Sequence, residues 1–302
     1  MIENFNQSKN SSAEFVDVRK FVGVASINIL AINPNNAKLR SYGWTIPDDA
    51  DEPKYVVVNE DGKKSARIRF LVQIQDLDDK PIVPMDFWIR PDLNLNQDGT
   101  KCKILDPLGR TAWATKTEVQ SHSIPQYANG PANISSDYKP CHVGEDTLIQ
   151  FLMKWLNMTP LDILRDGVWR KSEKPGKLTI DDWNALCNGN VAELAKIISY
   201  VPENRCKVVL GLRKTDENKS YQTFLPTCFL SNGTRKDLTG AYPKAAKEIE
   251  KYLENRESTN FEFSSFPVKE YKEEATEVND SSSSGFPNAG AAANEDDDLP
   301  FA

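Results

Sequence analysis

Arg67-Ile68-Arg69-Phe70-Leu71-Val72-Gln73-Ile74-Gln75 is the stretch on which the fold turns. Its even positions are all apolar, while Arg67, Arg69, Gln73 and Gln75 occupy odd ones. Successive side chains of a strand point to opposite faces, so this period of two predicts a β-strand with one face in the core and the other basic or polar. After the turn residues Asp78-Asp79-Lys80-Pro81, the segment Met85-Asp86-Phe87-Trp88-Ile89-Arg90 alternates again. Met85, Phe87 and Ile89 claim the core side. If the two segments pair antiparallel, Trp88 and Arg90 join Arg67 and Arg69 on one surface.

Upstream, a run rich in β-branched residues extends from Phe21 to the turn cluster Asn33-Pro34-Asn35-Asn36 and reads as a long, mostly buried strand. Weaker strand candidates lie at residues 55–59, 102–105 and 111–115. Near residue 144 the period changes. Leu148, Phe151, Leu152, Trp155 and Leu156 fall at helical spacing, and residues 179–187 and 191–201 read as a helical pair. Residues 207–213 and 221–230 then predict a hairpin closing the sheet, and an amphipathic helix at 243–256 ends the fold. The expected plan is a flexible arm at 1–15, a β-rich α+β body at 16–270 with a helical region at about 144–201, and a tail at 271–302.

The chain has 302 residues and a net charge of −7, but the charge is unevenly placed. The tail holds eight acidic residues against Lys272, which accounts for all of it and leaves 36 basic and 36 acidic residues elsewhere. Runs such as Ser281-Ser282-Ser283-Ser284-Gly285 cannot bury enough apolar surface to offset chain entropy, so the tail is expected to be disordered. It ends Glu295-Asp296-Asp297-Asp298-Leu299-Pro300-Phe301-Ala302, an acidic run followed by an apolar hook suited to a partner's pocket.

That ending resembles the tails of bacterial and bacteriophage single-stranded DNA-binding proteins, which close on acidic residues, an aliphatic residue, Pro and Phe. The resemblance implies an OB-fold body, here an elaborated OB-fold-type barrel with a helical insertion. It also implies that Asp296, Asp297, Asp298, Leu299, Pro300 and Phe301 bind replication or recombination proteins such as a helicase, polymerase or recombinase. Ala302 departs from the family pattern by moving the carboxylate one residue past the ring.

Binding single strands takes cations to follow phosphates and aromatic faces on which bases stack. Arg67, Arg69, Trp88 and Arg90 supply both on one strand face. Lys38, Arg40, Tyr42 and Trp44 interleave them after the first turn cluster, and Trp113 with Lys116 forms a third candidate. For each Trp the competing reading is core packing.

The five cysteines are odd in number and widely spaced, which suits reduced thiols in a cytoplasmic protein, or in the host cytoplasm if the protein is viral. No run approaches the roughly 20 apolar residues of a membrane helix, so no membrane partner is expected. Cys102, His122, Cys141 and His142 lack the close Cys pair of structural zinc, so neither a metal nor another cofactor is expected. Phosphate-loop, dinucleotide, nucleophile-elbow and zinc-protease motifs are missing from the sequence, which argues against an enzyme. Acid clusters at Asp49, Asp51 and Glu52 and at Asp181 and Asp182 leave a metal-dependent nuclease as the enzyme alternative. Two non-enzymatic alternatives are a recombination mediator or annealing protein, and an interaction or virion component that does not bind DNA.

Overall fold

The alternating segments do pair antiparallel, with Arg67 opposite Trp88 and Arg69 opposite Asp86. They form β3 (Lys64–Ile74) and β4 (Ile82–Ile89) of a computed structural model. The structure describes residues 19–58, 62–105, 110–115, 117–118, 139–157, 180–199, 206–215, 219–256 and 260–272. The other strands are β1 (Lys20–Ile32), β2 (Val56–Val58), β5 (Lys101–Leu105), β6 (Thr111–Thr115), β7 (Lys139–Pro140), β8 (Cys206–Lys214), β9 (Ser220–Ser231), β10 (Phe261–Phe263) and β11 (Lys269–Tyr271). The helices are α1 (Asn36–Ser41), α2 (Glu145–Leu156), α3 (Ile180–Cys187), α4 (Ala192–Ser199) and α5 (Pro243–Glu254). Among the described residues no helix is long and apolar enough to cross a membrane.

An eight-stranded sheet dominates. Strand β1 pairs antiparallel with β3 through its C-terminal half and with β8 through its N-terminal half. Strand β4 extends the sheet from β3, and β9 extends it from β8, giving the path β9-β8-β1-β3-β4. The two ends of that path curl toward each other, because Phe87 of β4 lies 4.9 Å from Phe224 and 6.3 Å from Phe229 of β9. They share no ladder, so the sheet is curled but not closed among the described residues.

Helix α2 fills the gap. Its buried stripe of Leu148, Phe151, Leu152 and Trp155 repeats at three and four residues, which puts these side chains on one face. Phe151 sits 5.3 Å from Phe87, 5.4 Å from Phe70 and 5.4 Å from Phe229. Burying such a ring is worth about 1.5–3 kcal/mol, so this aromatic cluster is a large part of what holds the seam. The helix starts at Gly144, whose φ is 78° and whose added Cβ would meet the Trp88 carbonyl oxygen at 2.0 Å. Glycine is required there on both counts.

Two smaller clusters sit on the opposite face of the sheet. Helix α5 covers Val24, Val209, Leu225 and Leu230 through Tyr242 and Ala245. Helix α1 and the loop after it cover Leu71 with Leu39 and Ile46, flanked by Tyr42, Trp44 and Ile82. The second, three-stranded sheet has the order β6-β5-β7.

The structure departs from the sequence reading at three places. Helix α1 lies just after the first turn cluster, in a segment for which no helix is expected from the sequence. The chain does not end on α5, because β10 pairs with β8 and β11 pairs with the start of β1. The body accordingly runs to Tyr271, which pairs with Lys20, rather than stopping at 270. The expected arm at 1–15 and the expected disorder from 273 onward lie outside the described residues.

Candidate nucleic-acid interface

Register decides which cations can meet a ligand. Arg67 and Trp88 are direct cross-strand partners on the face of β3 and β4 turned away from the main core. Both are partly exposed. The Arg67 guanidinium carbon lies 5.9 Å from the Trp88 ring centroid and 5.5 Å from that of Tyr55, so the cation is held by two aromatic groups. Tyr55 is fixed in turn. Its hydroxyl donates to the Pro34 carbonyl at 2.6 Å, and its own carbonyl accepts the Arg67 backbone N–H at 2.8 Å. Arg67 Nη2 donates to the Lys54 carbonyl at 3.4 Å. The result is a stack of Tyr55, Arg67 and Trp88, with exposed Lys54 beside it.

Arg69 shares that face but has another fate. Only 3% exposed, it donates from Nε to Asp86 Oδ1 at 2.8 Å and from Nη2 to Asp86 Oδ2 at 2.9 Å. This two-point pairing uses the planar fork of the guanidinium and neutralises it. Burial pushes the Asp86 carboxyl up, but the charge and hydrogen bonds of Arg69, with the charge of Arg67, outweigh it and hold the carboxyl below the usual carboxylate range. Asn33 closes the site further, its Oδ1 accepting the Arg69 backbone N–H at 2.7 Å. The geometry makes Arg69 a structural cation, against the expectation that it faces DNA.

The second predicted group is largely committed to its own loop. Arg40 donates from Nε to the Ile46 carbonyl at 3.0 Å and from Nη2 to the Pro47 carbonyl at 2.5 Å. The Tyr42 hydroxyl donates to the Leu30 carbonyl at 3.2 Å, and Trp44 packs on the α1 cluster with its indole nitrogen buried. Exposed Lys38 lies 4.9 Å from the Tyr42 ring and is the group's freest cation. Arg90 is partly exposed at the end of β4, and its backbone N–H donates to the Val143 carbonyl at 3.1 Å.

Trp113 is 39% exposed on β6. Its cationic neighbour is Lys103, directly opposite on β5, with Nζ 5.7 Å from the ring. Lys116, the expected neighbour, lies outside the described residues, as do the tail positions Asp296, Asp297, Asp298, Leu299, Pro300 and Phe301.

Sequence reading missed Tyr55 and Lys103. Tyr55 opens the segment read as a weak strand, and antiparallel pairing of that segment with 64–66 would have brought it beside Arg67. Lys103 stands one residue from Cys102 in a predicted strand, where alternation with buried Cys102 and Ile104 already turns it outward.

Among the described residues no three His, Cys, Asp or Glu side chains come together to hold a metal ion, and His122 is not among them. The Glu52 carboxylate accepts the Asn36 backbone N–H at 2.9 Å, which ties that acid to α1. Within the sheet, the Lys207 ammonium donates to Ser26 Oγ at 2.5 Å, where the two residues are 8% and 4% exposed.

Compared with known proteins, the chain matches no family model, no curated protein sequence and no solved structure.

Proposed function

We propose that the body binds single-stranded DNA without sequence preference, as a non-enzymatic protein of replication or recombination. The observation that carries this reading is the stack of Tyr55, Arg67 and Trp88 on the outer face of β3 and β4. It combines a cation for phosphate with aromatic surfaces for bases, the two elements that sequence-independent binding of single strands needs. A pure interaction module has no use for that combination.

The strand path supports an OB-type reading of the body. An OB-fold is a five-stranded, partly open Greek-key barrel that binds oligonucleotides on its second and third strands and on the loop between its first two. In the path β9-β8-β1-β3-β4, the strands β3 and β4 come second and third in chain order after β1, and Tyr55 lies on the connection between β1 and β3. Helix α2 sits at the open seam between β4 and β9. These correspondences are of fold, and the binding claim stands on the stack itself.

The tail completes the proposal. Asp296, Asp297 and Asp298 steer it toward basic surface, and Leu299, Pro300 and Phe301 form the ligand that recruits a helicase, polymerase or recombinase. The support is the sequence of the tail.

The test is tryptophan quenching by oligo(dT) with the intact chain and with Trp88→Ala and Arg67→Ala. Each variant is expected to bind more weakly, Trp88→Ala by about 1–3 kcal/mol, with a cooperative thermal transition that shows it folded at the assay temperature. Full affinity in both folded variants would overturn the assignment of this face.

A further inference from the structure

The face that carries the stack has two ends, and they differ. Toward the C-terminal end of β3 the surface is closed. The Arg69–Asp86 pair offers no net charge, and beyond it Leu71 and Ile82 lie under Leu39, Ile46 and Trp44. At the other end the surface continues. After Ile89 the chain runs on as a ladder, with the Val143 N–H donating to the Asp92 carbonyl at 3.0 Å and the Asn94 N–H to the Cys141 carbonyl at 2.9 Å. The Lys103 N–H then donates to the Asn94 carbonyl at 2.8 Å, which joins β4 to β5.

Trp113 is fixed relative to Trp88 by a second, independent route. Lys103 Nζ pairs with Asp146 Oδ2 at 2.5 Å, and Asp146 stands in the first turn of α2. That helix begins at Gly144, pressed against the Trp88 carbonyl. The exposed Trp113 ring thus repeats, on the small sheet, the aromatic part of the combination found at Tyr55, Arg67 and Trp88, while Lys103 beside it is already paired with Asp146.

From this placement we infer that a bound strand leaves the Tyr55, Arg67 and Trp88 stack past Arg90 and stacks a second time on Trp113 beside Lys103. The α1 side, with Lys38, Tyr42 and Trp44, lies off the path. The inference rests on the single-stranded DNA reading and gives it a direction and a length. One oligonucleotide must be long enough to touch both stations before Trp113 contributes.

The experiment compares oligo(dT) of about 4 and about 16 nucleotides, a span of lengths typical for one domain of this kind, by fluorescence anisotropy of a labelled oligonucleotide with the full chain. Trp113→Ala should bind the longer ligand about 5- to 100-fold more weakly and the shorter one as the parent does. Trp113→Phe should keep most of the affinity for the longer ligand, and thermal melting checks that both variants fold. Lys38→Ala should show no dependence on length. Equal effects of Trp113→Ala at both lengths, no effect at either, or a length-dependent loss in Lys38→Ala would overturn the path while leaving DNA binding intact. If the parent chain binds neither oligonucleotide at low salt, the single-stranded DNA reading fails and the path fails with it.

Discussion

Arg67 and Arg69 stand on the same face of the same strand, two residues apart, and do different work. Arg67 is partly exposed between Tyr55 and Trp88, whereas Arg69 is sealed against Asp86. Period-two alternation made the shared face legible, because it reports which way a side chain leaves the backbone. It carries no information about what meets a side chain on that face, and the Arg69 guanidinium meets Asp86. Removing one partner of such a pair leaves the other charge uncompensated, which costs about 3–5 kcal/mol when fully buried. Asp86 keeps some exposure, so Arg69→Met should cost the lower end of that range in urea unfolding, and Asp86→Leu added to it should recover most of the loss. The pH sign follows from the lowered Asp86 carboxyl. Its contribution is complete above the unfolded value of about 3.9 and is lost as pH falls through the lower folded value. The stability gap between the parent and Arg69→Met should therefore narrow on acidification below about pH 4.

Among the elements, the long strands and the helices were readable because each repeats its period several times. Strand β1 spans 13 residues and α2 repeats an apolar stripe over 12. Strands β10 and β11 have three residues each, too few for any period, and their pairing with β8 and β1 is decided by tertiary contacts. Helix α1 was hidden by its six-residue length, although Asn35 caps it, its side chain accepting the Lys38 N–H at 2.9 Å. The junction beside the proposed site is Gly144, where α2 meets the backbone of Trp88. A side chain there adds the strain of a left-handed residue, about 1–3 kcal/mol, to a clash with backbone. Gly144→Ala is expected to lower the urea midpoint and to weaken oligonucleotide binding together, since Trp88 must shift to make room. Loss of stability with unchanged affinity for the folded fraction would separate the junction from the site.

At the scale of the whole molecule, all five cysteines are buried and none is in a disulfide. Burial pushes the thiols of Cys187 and Cys206 up to about 12 and that of Cys228 up to about 11. Thiolate is the reactive form, so a thiol reagent at pH 8 should label the native chain hardly at all and all five positions after denaturation. Rapid labelling of the native chain would show that the interior opens. The charge partition was fully legible from sequence, and it separates the two halves of the proposed function. Phe301→Ala keeps every charge of the tail and removes its ring, so it should lose capture of replication proteins from lysate while leaving DNA affinity within about twofold, a difference under 0.5 kcal/mol. The central claim is that the folded body holds single strands by stacking and by phosphate contact. Titrating the protein with oligo(dT), and separately with a duplex of equal length, at several salt concentrations reads both terms at once. The account predicts quenched tryptophan emission, strong preference for the single strand and affinity that falls steeply as salt rises; equal binding of duplex, or no binding of oligo(dT) at low salt, would contradict it.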